Sequence, residues 1–440
     1  MARRNPAHAS STQKLIGAGA ATAVAAILGI VGAVAVAGPP STEPTTKAEQ
    51  PTASATPKVT PSEAESPSPS PTPTVEPDLV FSIITAGDML THVPVMDSAR
   101  TKNGYDFSKQ FKPTQDFIEG ADIAICHMEV PVAPKGQKPS GYPMFAAPRQ
   151  LVTDLAEAGW DGCSTASNHS VDRRFAGIEA TLAAFEAEGM GHSGTARSKD
   201  ESTQVQYYSV TQGDRTVKVA NISFAYGLNG LPKPDGKPWA VNTFNMDAAD
   251  VSPILEAAED ARKDGADIVV ASVHCCVEYR TEPGSVQTSI AKQIAKSGLV
   301  DLYVGHHAHV PQPIRLLEGG PQGKGMWTAY GLGNFISNQD VTTVGVKQSA
   351  SGVMMTATFT VSPEGDVDVD VKWTAVTVDR KGKHIVYPIT KDSGKAGTLS
   401  AKTVNERWKL VKDAVGPEAK ELKEPPVSHP VTLEVSVRQP

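Results

Sequence analysis

The chain has 440 residues, of which 40% are hydrophobic and 20% are charged, the ordinary balance of a globular protein. This composition accommodates one large folded domain with appendages and excludes a chain that is disordered throughout. The formal net charge is −7 and no block of Lys or Arg stands out in the sequence, so we expect no nucleic-acid partner.

The N-terminal segment, residues 1–37, has the pattern of a membrane anchor or a signal segment. Residues 1–14 carry three basic residues and no acidic one, and 15–37 are uncharged throughout. A helix of that length is about 34 Å long, enough to cross a hydrocarbon core of about 30 Å. Ala35 and Ala37 also form the small-x-small pattern of a signal-peptidase site. We expect an uncleaved single-pass anchor, with the cleaved, secreted form as the alternative; the charge bias predicts that the rest of the chain is extracytoplasmic.

Residues 38–78 form a predicted linker. Eleven of these positions are Pro, most others are Ser, Thr, Ala or Glu, and none is aromatic. Such a segment buries too little apolar surface to offset the entropy of ordering it. Its Pro repeats favour extended polyproline II, so we expect a semi-rigid stalk.

From residue 79 onward, strand-like and helix-like patterns alternate. Strands are predicted at 79–86, 122–128, 161–166, 217–224, 267–273, 300–304, 326–331, 352–361 and 366–376. Helices are predicted at 147–158, 175–189, 248–264 and 285–297. The pattern indicates an α/β (α+β) domain over 79–390 whose last strands form a hairpin around the turn at 362–366. Residues 391–440 are Lys/Glu/Pro-rich, and we predict a polar C-terminal tail with one short helix at 402–414.

Five of the predicted strands end at residue types that bind metal ions. Taken singly, a carboxylate at a strand end more often caps a helix or starts a turn, and a lone histidine is more often a hydrogen-bonded core or surface residue. In open α/β sheets, however, ligands bind at the carboxyl ends of the strands, so these residues can converge on one site. The strand-end residues are Asp88, Glu129, Asn168 with His169, His274, and the pair His307 and His309.

Six segments in a fixed order carry a family resemblance. They are TAGDML at 85–90, ADIAICHMEVPV at 121–132, STASNHSVD at 164–172, VHCCVEY at 273–279, DLYVGHHAHVPQP at 301–313 and YGLGNFISNQ at 330–339. Together they make residues 81–339 resemble the bacterial capsule-synthesis CapA (PGA-cap) family, a branch of the calcineurin-like metallophosphatase superfamily. The resemblance implies a metallophosphatase-like four-layer sandwich of two β-sheets flanked by helices.

The resemblance also implies a centre of one or two divalent transition-metal ions between the sheets. Oxygen and imidazole ligands without a thiolate suit Mn, Fe or Zn. The implied roles are Asp88 as first ligand, Glu129 as bridging carboxylate, Asn168 as amide-oxygen ligand, His274, His307 and His309 as imidazole ligands, and His169 as the catalytic proton donor to the leaving group.

Some positions depart from the pattern of the resemblance. The superfamily's first motif is Asp-x-His, and Leu90 stands where that His would be, as is usual in the CapA branch. The departures particular to this chain are His127 and Ser167 in place of Asn, Cys275-Cys276 in place of Trp-Gly, and Arg174 in place of Gly. They preserve the ligand types and alter the surroundings of the ligands.

The four cysteines leave two questions open. Cys126 and Cys163 lie near the ends of strands expected to be neighbours, so a disulfide is sterically feasible, and two buried free thiols are the alternative. Adjacent Cys275 and Cys276 would form a strained vicinal disulfide, with a soft metal site as the alternative. Neither pair fits a structural zinc pattern.

Three functions are compatible with these features. The first is a metal-dependent hydrolase or transferase in the synthesis, export or processing of an anionic capsule polymer such as poly-γ-glutamate, which the family name implies. The second is an envelope phosphoesterase, and the third is a non-catalytic polymer-binding subunit of a capsule synthesis complex. Expected partners are the membrane, through the N-terminal helix, the polymer and capsule synthesis membrane subunits. The cations near the motifs either bind such a polyanion or are solvated: Lys138, Arg173, Arg174 and Arg280.

Overall fold

The computed structural model of the protein describes residues 76–440. The predicted anchor or signal segment at 1–37 and residues 38–75 of the predicted linker lie outside the described residues. Within 76–440, no helix combines the length and the apolar character needed to cross a bilayer.

The elements of the described region alternate along the chain. The strands are β1 (Leu79–Met89), β2 (Arg100–Thr101), β3 (Gly104–Tyr105), β4 (Ile123–Met128), β5 (Gly162–Ser164), β6 (Gly191–Ser193), β7 (Gln206–Gln212), β8 (Arg215–Ala225), β9 (Ile268–His274), β10 (Leu302–His306), β11 (Ile314–Leu317), β12 (Met326–Ala329), β13 (Asn334–Ile336), β14 (Ser351–Val361), β15 (Val367–Asp379), β16 (Ile385–Ile389), β17 (Lys420–Glu421) and β18 (Thr432–Ser436). The helices are α1 (Val93–Ser98), α2 (Ser108–Phe111), α3 (Gln115–Glu119), α4 (Gln150–Glu157), α5 (Arg174–Ala187), α6 (Lys199–Ser202), α7 (Ser252–Lys263), α8 (Ser285–Ser297) and α9 (Ala401–Val415).

These strands form two large sheets. The first has the order β16-β15-β14-β1-β4-β5-β6, with β13 also paired to β1 and β17 to β15. The second has the order β11-β12-β10-β9-β8-β7-β18. The strands β1, β4, β5 and β6 are parallel, as are β8, β9, β10 and β12, whereas β14, β15 and β16 are antiparallel. Each sheet therefore presents one edge where several parallel strands end together.

The two sheets pack face to face with helices outside them. Side chains alternate across each strand, so Ile83 points into the core between the sheets and Ile84 into the core beneath the outer helices. Helices α1 to α4 cover the first sheet, and α7 and α8 cover the second. The predicted α/β four-layer sandwich of two sheets flanked by helices is confirmed.

Burial on both faces explains why the parallel strands were recognisable in sequence. All seven residues of β9 are buried, and its run Ile-Val-Val-Ala-Ser-Val is apolar apart from one Ser. Helix α8 is followed by its C-cap residue Gly298, whose φ of 69° lies in the left-handed region that glycine adopts most easily. Each predicted strand and helix between 79 and 376 has a counterpart in the structure, including the antiparallel hairpin of β14 and β15.

The C-terminal segment 391–440 is part of the fold, so its prediction as a tail is wrong. The predicted helix at 402–414 corresponds to α9, which buries Val404, Trp408 and Val411 in the core between the sheets. Strand β18 extends the second sheet by pairing antiparallel with β7, and β17 pairs with β15. The segment is polar because α9 and β18 each pack one face against the core between the sheets and expose the other.

Candidate metal centre

The predicted ligands come together where the parallel strands of both sheets end. In the first sheet, Asp88 of β1 pairs in register with His127 of β4 and with Asn334 of β13. In the second sheet, His306 of β10 pairs in register with His274 of β9. Glu129 directly follows β4, and His307 and His309 follow β10. All three side chains are buried. The structure therefore brings ligand-type side chains from both sheets into one buried cluster.

Asp88 lies at the centre of a set of hydrogen bonds from the His306–His309 turn. Its Oδ1 is 3.2 Å from His306 Nδ1, its Oδ2 is 3.0 Å from His309 Nδ1, and the backbone N–H of His307 donates to Oδ2 over 3.3 Å. Burial alone would raise the pKa of Asp88, but the hydrogen bonds with His306 and His309 outweigh it and hold the pKa well below its usual value. Asp88 is therefore a carboxylate anion near neutral pH.

Glu129 has no hydrogen-bond partner for either carboxyl oxygen among residues 76–440, although its side chain is fully buried. Its Oε1 lies 3.6 Å from His309 Nε2. Burial raises the pKa of this carboxyl well above its usual value, and the charge of His309 opposes that rise. A buried carboxyl without a partner is costly, and a bound cation would remove that cost.

His274 lies in a chain of hydrogen-bonded side chains that joins the two sheets. Its Nε2 is 2.9 Å from Asn168 Oδ1, and its Nδ1 is 2.9 Å from His127 Nε2. The other ring nitrogen of His127 lies 2.7 Å from Ser164 Oγ. Burial lowers the pKa of both His127 and His274 well below the usual value, so both rings are neutral, the form in which imidazole binds a metal.

His307 and His309 carry different charges. Burial lowers the pKa of His307 to about 3, and its Nδ1 has no hydrogen-bond partner within the described region. Burial would also lower the pKa of His309, but the carboxylates of Glu129 and Asp88 outweigh it and raise this pKa to about 10. The positive charge of His309 balances buried carboxylate charge, which a metal cation would also do.

His169 contacts a carboxylate instead of joining the histidine cluster. Its Nδ1 lies 2.7 Å from Asp172 Oδ2, which also accepts the backbone N–H of Phe145 over 2.7 Å. The side-chain amide of Asn229 contacts both Asn168 and the His169 ring, so it connects these two predicted site residues. Asp172 fixes the orientation of the imidazole and leaves Nε2 as the ring nitrogen available to a substrate.

Four residues of the cluster have no role predicted from the sequence. His306 and His127 have stacked rings, with centroids 3.9 Å apart. Asn334 accepts from His309 through Oδ1 over 3.1 Å, and Glu278 Oε1 lies 3.7 Å from His309 Nε2. His306 stands beside the predicted ligand His307 in the sequence, and Glu278 and Asn334 belong to the motifs VHCCVEY and YGLGNF, so proximity to a motif was the available signal.

The backbone around the centre holds several side chains in an uncommon conformation. His307, His309, Tyr279 and Asn229 have φ values of 83°, 55°, 62° and 52°, in the left-handed region that side-chain-bearing residues seldom adopt. Each such residue costs on the order of 1–3 kcal/mol and persists where surrounding contacts enforce it. Such strain clusters at functional sites, which agrees with a site at this edge.

Both cysteine pairs are joined as disulfides in the structure. Cys126 of β4 and Cys163 of β5 are register partners, and they form one disulfide. Cys275 and Cys276 form the other, directly after the candidate ligand His274. All four cysteines are therefore disulfide-bonded, so none of them contributes a thiolate to the candidate centre.

The donor set fits a metal ion. Within 76–440, four overlapping groups of side chains have ligand atoms within 4.8 Å of one another. Oxygen and nitrogen donors predominate, and the unpartnered atoms of Glu129 and His307 belong to these groups. The groups are Asp88 with His127 and His306, Asp88 with Glu129 and His309, Glu129 with His274 and His307, and Glu278 with His307 and His309.

Comparisons with known proteins give several similar curated relatives, two of which are described as CapA. The capsule biosynthesis protein CapA of Bacillus anthracis is 26% identical over 242 residues, 54% of this chain and 56% of the relative. The PGA biosynthesis protein CapA of Bacillus subtilis is 28% identical over 255 residues, 56% of this chain and 61% of the relative. The chain thus matches less than two thirds of the length of each.

A solved structure and a family model complete the comparison. The crystal structure of the calcineurin-like phosphoesterase YfkN from Bacillus subtilis aligns with a TM-score of 0.37 and 12% identity, covering 76% of this chain and 97% of that one. The family model described as bacterial capsule synthesis protein PGA_cap matches residues 82–339, more than half of the chain. This match confirms the family predicted from the six motifs: the chain belongs to the PGA_cap family of bacterial capsule synthesis proteins.

Proposed function

We propose that this protein is an extracytoplasmic, metal-dependent hydrolase or transferase that acts on an anionic capsule polymer of the poly-γ-glutamate type. Family membership and the capsule and PGA biosynthesis named for the two relatives support the polymer. The basic residues and uncharged run of 1–37, followed by the Pro-rich 38–78, support export on a membrane anchor. Capsule synthesis membrane subunits are the partners that this location would offer.

The observation that carries the proposal is the unpartnered carboxyl group of Glu129. It is fully buried, lacks a hydrogen bond from any described residue, and belongs to groups that also contain Asp88, His274, His307 and His309. A divalent Mn, Fe or Zn ion, or two of them, would satisfy these donors. Asn168 would add its amide oxygen, which already lies 2.9 Å from His274 Nε2.

The residues of the chain have separable tasks in this proposal. A bound divalent ion supplies Lewis acidity and lowers the pKa of a water molecule toward 7. The carboxylates and imidazoles hold their positions because Asp88 fixes His309 and His127 fixes His274. His169, oriented by Asp172, donates a proton from Nε2 to the leaving group.

The cations predicted near the site differ in their availability to a polyanion. Arg173 donates to Ser140 Oγ and, over 3.1 Å, to the carbonyl of Met144, so it holds the loop before α4. Lys138 and Arg174 are exposed. We propose that Lys138 and Arg174 meet the carboxylates of the polymer, while Arg173 has a structural role.

Turnover of two substrates tests the proposal. Purified protein loaded with Mn²⁺, Fe²⁺ or Zn²⁺ is assayed on poly-γ-glutamate and on a chromogenic phosphodiester. Metal-dependent cleavage or transfer of poly-γ-glutamate is the expected result. Turnover of the phosphodiester alone would favour an envelope phosphoesterase. Polymer binding without metal or turnover would favour a non-catalytic polymer-binding subunit of a capsule synthesis complex.

A further inference from the structure

Two of the overlapping groups in the proposed centre share Glu129 and could each hold one ion. Glu129, His274 and His307 form one group, and the amide oxygen of Asn168 adjoins it through His274. The second group consists of Asp88, Glu129 and His309. Leu90, which stands where the superfamily's first motif has an imidazole, is buried in the apolar core beneath the outer helices and offers no ligand atom.

We propose that Glu278 is a metal ligand that supplies the donor missing at Leu90. This inference rests on the proposed metal centre. Glu278 Oε1 lies 3.7 Å from His309 Nε2, and Glu129 Oε1 lies 3.6 Å from the same nitrogen. When two ligand atoms each lie about 2.1 Å from the same ion in a tetrahedral arrangement, they are about 3.4 Å from each other. The observed separations are close to that value.

The orientation of His309 determines which of its nitrogens faces the ion. Its Nδ1 is 3.0 Å from Asp88 Oδ2 and 3.1 Å from Asn334 Oδ1. Metal-binding histidines characteristically engage a carboxylate or carbonyl oxygen through the second ring nitrogen. Nε2 is therefore the donor for the ion, and both Glu129 and Glu278 lie on that side of the ring.

The backbone holds Glu278 beside this nitrogen. The N–H of the next residue, Tyr279, donates to the carbonyl of Ala308 over 2.7 Å, which ties the segment to the turn between His307 and His309. The φ of Tyr279 is 62°, and its hydroxyl accepts from Gln339 over 3.1 Å. The position of Glu278 is thus fixed from both the backbone and the neighbouring side chain.

Three buried atoms on two side chains point independently to a ligand at this position. Both carboxyl oxygens of Glu129 and Nδ1 of His307 lack a hydrogen-bond partner in the described part of the chain, and both side chains are at least nine-tenths buried. The Glu278 side chain is 42% exposed, in contrast to 2% for His309. Glu278 would therefore close the solvent side of the centre, where a substrate has to approach.

Metal binding by the purified full-length protein tests this assignment. The variant Glu278→Gln keeps the size of the side chain and removes its charge, and Glu282→Gln is the matched control because Glu282 is an exposed carboxylate four residues further on. Mn²⁺ stoichiometry and Kd are measured by equilibrium dialysis. We expect Glu278→Gln to lose one ion or to bind it at least about 10-fold more weakly, with an unchanged melting temperature of the metal-free protein. Glu282→Gln should match the wild type.

The outcomes separate this assignment from the metal centre itself. Wild-type protein that binds Mn²⁺, together with Glu278→Gln that binds it with the same stoichiometry and Kd, would overturn the role of Glu278 and leave the centre in place. Wild-type protein that binds no Mn²⁺, Fe²⁺ or Zn²⁺ would overturn both. A metal-free Glu278→Gln protein with a lowered melting temperature would also count against a ligand, because it would make Glu278 a structural residue.

Discussion

Asn168 has two histidine neighbours. His169 follows it directly in the sequence, and the ring of His274 contacts its side chain. His274 is fully buried, and its Nε2 contacts the Asn168 amide, whereas His169 engages Asp172. At the scale of single residues, these contacts match the roles we propose, in which His274 would hold the ion and His169 would transfer a proton.

We therefore expect the substitutions His169→Ala and His274→Ala to have different effects. His169→Ala should keep the metal stoichiometry of the wild type and lower kcat on the polymer by about 10²- to 10⁴-fold, the contribution of a general acid. His274→Ala should lose metal and activity together. Elemental analysis and steady-state kinetics on the same preparations distinguish the two. Loss of metal in His169→Ala would make His169 a ligand, and normal turnover would reduce it to a loop contact.

The sequence predicted which ligand-type residues cluster better than it predicted their surroundings. Asp88, Glu129 and the His307–His309 pair were recognisable because each follows an apolar strand and parallel strands end at a common edge. The contact between His127 and His274 was not predictable, since it joins residues 147 positions apart in different sheets. Its geometry depends on how the two sheets pack, which no local pattern specifies.

At the scale of elements, α9 shows why residues 391–440 were predicted to be a tail although they are part of the fold. Val404, Trp408, Val411 and Val415 form one apolar face, but Lys and Glu residues around them dominate the composition. In β18, Leu433 and Val435 alternate with Thr, Glu and Ser, the pattern of an edge strand that packs on one face. Short, half-buried elements carry weak sequence signals, while fully buried strands carry strong ones.

The integration of α9 predicts a large effect of Trp408→Ala on stability. The Trp408 side chain is buried in the core between the sheets, and its Nε1 donates to Glu421 over 2.7 Å. Its removal should lower the free energy of unfolding by about 3–5 kcal/mol. The control Lys409→Ala alters a 68% exposed side chain in a surface ion pair and should change stability by less than about 1 kcal/mol. Equal, small effects in denaturant unfolding would restore the interpretation of 391–440 as a tail.

His384, directly before β16, predicts a pH dependence of stability. Its Nδ1 is 2.7 Å from Ser98 Oγ and its Nε2 is 3.0 Å from Asn338 Oδ1, and burial lowers its pKa from 6.5 to about 4. Because the folded-state pKa is below the unfolded-state value, the unfolded chain binds the proton more tightly, and stability falls as the pH drops from 6.5 toward 4.

The size of this effect follows from the shift in pKa. Between pH 7 and pH 5, the wild type should lose up to about 2 kcal/mol through His384 alone. The variant His384→Gln should lack this contribution, so the difference in unfolding free energy between the two proteins should shrink as the pH falls. Urea unfolding at pH 7, 6 and 5 measures it. A difference that is independent of pH would show that His384 does not titrate as described.

At the scale of the whole molecule, the proposed location places the folded domain outside the cell on a stalk. The first described strand, β1, directly follows the Pro-rich 38–78, and the described region carries two disulfides, which persist in oxidising compartments. Protease added to intact, wall-free cells should therefore release a fragment that contains the domain. A domain that stays protected while the N-terminus is accessible would reverse the predicted orientation.

The metal content of the purified protein tests whether the buried cluster around Glu129 is a metal centre. After loading with Mn²⁺, Fe²⁺ or Zn²⁺ and removal of free metal, elemental analysis should find one or two ions per chain, because Glu129 and its neighbouring imidazoles need a cation. His309→Ala and Glu129→Gln should retain fewer ions. Bound metal should also stabilise the wild type by about 2.7 kcal/mol at a free concentration 100-fold above Kd. A wild-type protein that retains no transition metal and gains no stability from it would show that the cluster is not a metal centre.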